Sequence, residues 1–479
     1  MVNRLESRLL KGLFWSVAQV LIKRVFDLFI KLVLVNILLP EDFGIVGVAV
    51  AITSVVYVIS DFGLQSALIQ RRKTTTLDVH FQSVYWWSLC WSIIVFLLMV
   101  FVGAPYFSYF YEEPQLKLII TILCIPVIFN ALSIIYKVKM LRCLDFKRIG
   151  VINSIAAVVS SFIALFIALK DGGLWSLVVY TVLPFVITYP FYVNWVSWKP
   201  KFIYKIEYLL QNFNFGGFTF ISSLVLVLSL NIYHFFIGKI IDATAVGIYS
   251  LAFMLTILVS SQVTSMIDRV MFPFYSKIQT NVTTIKKYYL LSLTYYSLFL
   301  YPIMLTLIIL SPSVIKFFFG VKWIDAKNPI RILAIVVLIN LFTHGCHLVF
   351  RSMGKPKLEM KMLVFILIFV TVPSAYIGSH YGIVGVSIGV LIAAVINFLF
   401  SFYFIKSQLD VSLLDILIRL KPSIISFSVT FLVIFPLYLF TSINFIVLLV
   451  LLWVIYILII ERFYKAEIRF LKKKYLLND

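Results

Sequence analysis

The chain has 479 residues, of which 62% are hydrophobic and only 13% charged. That is too apolar for an ordinary soluble domain, in which about a quarter of the residues carry charge, and it excludes intrinsic disorder, which needs low hydrophobicity. At about 20 apolar residues per membrane helix, the hydrophobic content furnishes about 14 spans, and the short connections left over have no room for a large soluble domain. The net charge of +21 looks like a nucleic-acid signal only until the basic residues are placed. Four cysteines (Cys90, Cys124, Cys143, Cys346) are scattered without a CxxC, so neither a metal knuckle nor a disulfide framework is indicated. The opening MVNRLESRLLKG is polar and basic. No small-residue cleavage site follows a short apolar core, so the first apolar run reads as a retained helix and not as a removed signal peptide.

In chain order, apolar runs bounded by charge, Pro or Gly predict helices over 12–38, 44–66, 83–104, 117–137, 151–170, 174–196, 217–238, 245–271, 289–311, 328–350, 361–378, 382–405, 423–441 and 443–461. Starting with the N-terminus in the cytoplasm, the cytoplasmic segments collect 30 of the 41 Lys and Arg and the opposite side collects six. Such a split fixes the orientation, with both termini cytoplasmic. The basic excess is therefore topology. It sits on short loops and not on one folded face, so nucleic acid is not expected as a partner. Trp86, Trp87, Trp195 and Trp198 fall at cytoplasmic span ends, and Trp175 and Trp323 at the opposite ends, as interfacial anchors do. The basic tail 462–479, with interleaved Phe, Tyr and Leu, reads as lying along the anionic inner leaflet.

A faint internal repeat runs through the chain. PEDFGIVGVAVAIT around Gly44 matches DATAVGIYSLAFMLT around Gly247, 203 residues later. DGGLWSLVVYTVL around Gly173 matches HYGIVGVSIGVLI around Gly382, and Arg142 matches Arg351, both 209 later. Six predicted spans separate the copies, an even number, so both halves face the same way. The expected architecture is all-α and integral to the membrane, with about 14 helices: two six-helix bundles of pseudo-two-fold symmetry plus two C-terminal helices. The predicted segments are an N-terminal bundle over 1–196, a cytoplasmic linker at 197–216, a C-terminal bundle over 217–405, a cytoplasmic loop at 406–422, helices 13 and 14 over 423–461, and the tail.

Charges where lipid should be carry the functional signal. The first span, GLFWSVAQVLIKRVFDLFIKLVLVNIL, holds Lys23, Arg24, Asp27 and Lys31 near its middle. Together they cost about 10–14 kcal/mol at the bilayer centre, against about 5–10 kcal/mol returned by the apolar side chains. The helix must therefore face protein or water. Its charged positions fall within about 140° of the helix circumference. One reading has these charges pairing internally to lock the helix. The other has a cationic wall that grips an anion, with Arg suited to diphosphate because its planar fork binds phosphate oxygens bidentately. In the eighth span, Asp268 and Arg269 lie near the cytoplasmic end of TSMIDRVMFPFYSK. Arg269 either faces the cavity or snorkels to the headgroups, while Asp268 pairs elsewhere. Asp61 reads as a helix-end residue, and Arg331 as snorkelling at the outer end of its span. His234, His344 and His347 sit in apolar runs and read as buried, hydrogen-bonded histidines, with a proton relay as the alternative. Pro126, Pro184, Pro190, Pro302, Pro373 and Pro436 fall inside spans and suggest kinks. No Walker A loop is present, and no cofactor or metal is expected.

At LLPEDFGIVGVAVAI followed by SDFGLQSALIQRR, and again at NIYHFFIGKIIDATAVGIYSLAFML and DRVMFPFYSKIQ, the chain resembles the polysaccharide-export flippases, the Wzx-type branch of the MOP superfamily. The likeness covers roughly residues 10–400. It implies a pair of bundles in a bacterial inner membrane that moves a polyprenyl-diphosphate-linked oligosaccharide from the cytoplasmic to the periplasmic leaflet. The motion implied is alternating access driven by an ion gradient. The implied cargo is an O-antigen, capsule or exopolysaccharide repeat unit, and the implied partners are membrane lipids with a glycan polymerase and glycosyltransferases. By motif, Arg269 falls at the family's span-eight arginine and Arg24 in the cationic stretch of span one. The expected substrate-binding cations are thus Lys23, Arg24, Lys31 and Arg269, and the expected coupling acids Asp27 and Asp268. Many relatives have Asp where this chain has Tyr233; if that acid serves coupling, its role here is either absent or moved to another acid such as Asp27. Two rivals are a multidrug exporter of the same superfamily, against which the net-positive first span argues, and a membrane glycan polymerase or ligase. The latter needs a sizeable outer loop, and the longest here lies near 312–328. The expectation is a transporter and not an enzyme.

Overall fold

A computed structural model describes residues 30–70, 77–143, 145–278, 281–354, 356–441 and 443–475. It leaves aside the side chains at 66–67, 70, 77, 146, 208–216, 218–219, 269–270, 272–273, 276–277, 356 and 464–475. Among the described residues every regular element is helical, and 13 helical segments are long and apolar enough to cross a membrane. The physical reason is that hydrocarbon offers no hydrogen-bond partners, so each segment must satisfy its own backbone. Of the first predicted span, 12–38, residues 30–37 are described and helical (α1); Lys23, Arg24 and Asp27 lie outside the described residues.

Contact clustering divides the chain into a unit at Met1–Gly247 and a second at Ile248–Asp479. In the first unit the helices are α2 (Pro40–Asp61), α3 (Leu64–Gln70), α4 (Leu77–Leu98), α5 (Ala104–Tyr111), α6 (Pro114–Leu123), α7 (Ile125–Arg142), α8 (Phe146–Leu169), α9 (Trp175–Trp195), α10 (Ile206–Ile240) and the start of α11 (Ala243–Phe253). In the second they are the rest of α11, then α12 (Val259–Lys277), α13 (Val282–Phe318), α14 (Lys327–Ser352), α15 (Pro356–Ile366), α16 (Val372–Ser379), α17 (Gly382–Leu409), α18 (Leu413–Phe440) and α19 (Phe445–Tyr475).

The helices run past their apolar cores. The segment 206–216 belongs to α10, and 406–409 and 413–422 belong to α17 and α18. The region 312–328 is mostly helical too, with α13 reaching Phe318 and a short 3-10 turn at Val321–Ala326 leading into α14. Polar ends lengthen helices because a capped end costs nothing in the headgroup layer: Ser412 and Asp415 form a reciprocal capping box at α18. The nine residues before α10 are held along α4. Gln82 Oε1 accepts from the Lys201 amide at 2.7 Å, Ser83 Oγ from the Lys205 amide at 3.0 Å, and Trp86 Nε1 donates to the Lys201 carbonyl at 2.8 Å. Trp198 packs into the same core and donates to Asp78 at 3.2 Å.

The prolines act in different ways. Pro126 stands at the start of α7, where the fourth span breaks at Cys124. Pro184 and Pro190 stay inside α9, Pro302 and Pro312 inside α13, and Pro422 and Pro436 inside α18. Pro373 directly follows a π-turn at Leu367–Thr371, and further π-turns occur at Met99–Gly103 and Met254–Leu258. A π-turn widens the ladder by one residue and re-aims everything beyond it.

The repeat motifs meet face to face. A Cβ on Gly44 would stand 1.6 Å from the Ala243 carbonyl oxygen, and one on Gly247 would stand 1.8 Å from the Pro40 carbonyl oxygen. The first turns of α2 and α11 thus cross with backbone against backbone, which only glycine permits. Gly44→Ala is expected to destabilise the protein by about 3 kcal/mol through backbone displacement, read as a fall in melting temperature in detergent. Gly217→Ala, where nothing stands within 4 Å, serves as the control and is expected to be neutral or stabilising by up to about 1 kcal/mol.

Candidate functional site

Each unit keeps ionisable groups inside its spans. In the first, Asp61 ends α2, as its sequence position suggests, and the chain turns there through Phe62 in the left-handed region at φ 49°. A carboxylate at a helix C-terminus opposes the helix dipole, so it needs a cation. Lys137, from the fourth span, lies within electrostatic reach. The Lys137 Nζ donates to Asn130 Oδ1 at 3.0 Å and sits 5.6 Å from the centre of the Tyr192 ring. Asn130 and Lys137 are seven residues apart on α7, hence on one face. Asp61 Oδ1 is buried without a hydrogen-bond partner. Lys31, the expected substrate cation that falls within the described residues, is half-buried on α1 and has a partner.

In the second unit, Asp268 is the hub. Tyr296 Oη on α13 donates to Asp268 Oδ1 at 2.6 Å, and His344 Nε2 on α14 lies 2.8 Å from Asp268 Oδ2. The Tyr296 and His344 rings meet edge to face at 5.8 Å. Both carboxylate oxygens are thereby engaged. One turn further along α14, both ring nitrogens of His347 are buried with no hydrogen-bond partner, and electrostatics tie this ring to His344, Arg351 and Glu359. Arg351 clamps Glu359 through Nη2 at 2.5 Å and Nε at 3.1 Å. His344, His347 and Arg351 thus line one face of α14.

Of the expected site residues, the structure gives Asp268 its partners and gives Lys31 a half-buried place. Arg269 lies in α12, with its side chain outside the described residues. Arg331 bonds the Ile308 carbonyl at 3.1 Å. Sequence reasoning missed Lys137, read as a loop cation, although its spacing from Asn130 placed both on one helix face. It also missed Tyr296 and the buried Glu359, which carry no sequence signal beyond their type.

A family model described as "Polysaccharide biosynthesis protein" matches residues 33–328. The chain belongs to that family. It is 23% identical to the lipopolysaccharide biosynthesis protein WzxC of Escherichia coli (strain K12), covering 83% of this chain and 81% of the relative. It is 26% identical to the teichuronic acid biosynthesis protein TuaB of Bacillus subtilis (strain 168), over 63% of this chain and 62% of the relative. Among solved structures, the lipid II flippase MurJ in an inward closed conformation aligns at a TM-score of 0.79 with 16% identity, covering 95% of this chain and all of that one. An inward-facing multidrug MATE transporter of the MOP superfamily aligns at 0.65 with 19% identity, over 81% of this chain and 96% of that one. The fold is therefore shared with these two transporters, and the chain is a multi-pass membrane protein.

The Arg351–Glu359 pair predicts an asymmetry. The Glu359 side chain is 6% exposed and that of Arg351 56%. Arg351→Ala strands a buried carboxylate and is expected to cost about 3–5 kcal/mol, whereas Glu359→Gln leaves a half-exposed guanidinium and costs clearly less. Melting temperatures of the two variants in detergent check the order.

Proposed function

We propose that this protein is a flippase that carries a polyprenyl-diphosphate-linked oligosaccharide repeat unit across a bacterial inner membrane. The observation that carries the reading is the retention of charged, partnered side chains inside the spans of both units, in a chain of the polysaccharide biosynthesis family whose fold is shared with a lipid II flippase. A diphosphate and its sugars cannot enter hydrocarbon unaided, while the polyprenyl chain dissolves there. The protein needs only to carry the headgroup. In this reading Lys23, Arg24 and Lys31 of the first span and Arg269 of α12 are the phosphate-binding cations, and Asp27 and Asp268 the coupling acids. Both termini face the cytoplasm, and the cargo is passed on to a glycan polymerase. Names among the relatives support a biosynthetic cargo: one is a teichuronic acid biosynthesis protein and another a succinoglycan biosynthesis transport protein.

Coupling follows from the hub geometry. Protonation of the Asp268–His344 pair changes the charge that Tyr296 and its neighbours must accommodate, and a proton biases alternating access if the two states hold it with different affinity. The acid sits on α12 and the base on α14, so any motion of one helix against the other changes the pair directly.

Two experiments test this reading. The double variant Lys31→Ala/Arg269→Ala, at normal abundance, is expected to reduce surface glycan at least tenfold while lipid-linked precursor accumulates in the inner leaflet; full glycan output would overturn the cation assignment. Asp268→Asn is expected to abolish the dependence of export on the proton gradient, measured in membrane vesicles with an imposed pH step, and an unchanged dependence would remove Asp268 from coupling.

A further inference from the structure

A concavity of about 720 Å3 lies in the first unit, at the end that carries few basic residues. It is lined by Ser108, Tyr109, Phe110, Glu112, Lys117 and Lys239 together with two prolines. Its volume falls in the range of ligand pockets, about 300–1,000 Å3. Its construction is specific. Tyr111 ends α5, and Glu112 adopts the left-handed region at φ 59°, uncommon for a residue with a side chain. The turn is tied by the Glu113 amide donating to the Ser108 carbonyl at 3.1 Å and by Ser108 Oγ donating to the Glu113 carbonyl at 2.9 Å. Lys239, in the last turn of α10, clamps it from the other side. Its Nζ donates to the Phe110 carbonyl at 2.6 Å and to Glu112 Oε1 at 3.1 Å, and lies 5.0 Å from the centre of the Phe110 ring. Tyr111 Oη donates to the Phe235 carbonyl at 3.2 Å and fixes the loop to α10 once more.

With the loop held, two groups face outward. Tyr109 is 85% exposed. Lys117, in the second turn of α6, is exposed and has no carboxylate within ion-pair distance among the described residues. An amphipathic ring that offers a flat apolar face and a hydroxyl suits a pyranose, whose own faces are apolar and whose rim is hydroxyl. Ser108 and Glu112 supply acceptors for that rim. The other outward group of the concavity is a lysine, a point charge suited to a single carboxylate, and not the planar fork that diphosphate favours. The N-terminal end of α6 adds positive potential in the same place.

We propose that this concavity is a saccharide subsite selective for acidic sugars: Tyr109 stacks on a pyranose ring, Lys117 takes a uronate carboxylate, and Lys239 is a positioning residue that holds the loop. By the distribution of basic loops this end faces the periplasm, so the subsite would receive the headgroup after it has crossed and discourage its return. The proposal rests on the flippase reading for its place in transport, but binding itself is measured without transport.

The test uses the full chain in phosphatidylcholine nanodiscs, with a tetramer of galacturonic acid and a tetramer of galactose as probes and saturation-transfer NMR as the readout. The acidic tetramer is expected to bind about tenfold tighter than the neutral one. Lys117→Gln is expected to erase that preference while neutral binding persists, Lys117→Arg to restore most of it, and Tyr109→Ala to weaken both probes about tenfold. Equal binding of the two probes, an unaltered preference in Lys117→Gln, or displacement of the acidic tetramer by glycerol phosphate at matching concentration would overturn the assignment, the last pointing to a lipid headgroup. Should a deletion strain export glycan normally while purified protein still binds the acidic tetramer, the flippase reading fails and the subsite stands.

Discussion

The structure depends on one constraint: hydrocarbon solvates neither a peptide group nor a charge. The first half of that constraint makes every described element helical, and leaves irregular backbone at the ends, where water and headgroups are available. The second half decides which polar side chains are tolerated. Asp61 has Lys137 within electrostatic reach, Asp268 is bonded to His344 and Tyr296, and Glu359 to Arg351. None of these pairs is local to one turn of one helix. Each joins two helices, so the same contact that makes a charge tolerable also fixes how those helices pack.

A pair of this kind contributes little net stability, because desolvation offsets the attraction. A chain selected for stability alone would fill these positions with leucine, as it does around them. The close crossing of α2 and α11 is the opposite device. Gly44 and Gly247 remove side chains so that two backbones touch, and such a contact has only one good arrangement. A transporter needs both kinds of contact, one that can switch and one that cannot.

Much of this was legible in the sequence. Apolar runs bounded by Pro, Gly and charge locate the spans, since a bilayer imposes a minimum length that chance rarely meets. The glycine motifs at Gly44 and Gly247 stand out because their surroundings repeat. Helix ends were harder: the segments at 206–216 and 413–422 are polar yet helical, and hydropathy is silent about a helix that leaves the membrane. π-turns at Met99–Gly103, Met254–Leu258 and Leu367–Thr371 carry no compositional mark at all. In the site, Asp268 was visible as an acid in an apolar run, but its partners were not. Tyr296 is one of 26 tyrosines, and only packing singles it out. Lys137 was hidden by its nearness to a basic loop, where positive charge is expected and draws no notice.

The two interior pairs differ in a way that bears on mechanism. In the first unit the acid at the end of the second span lies within electrostatic reach of a lysine from the fourth; in the second unit an acid late in the eighth span is hydrogen-bonded to a histidine from the tenth. A lysine has an ordinary pKa far above neutrality and a histidine one close to it. In each unit the acid and its partner stand on different helices, so a displacement of either helix changes the interaction.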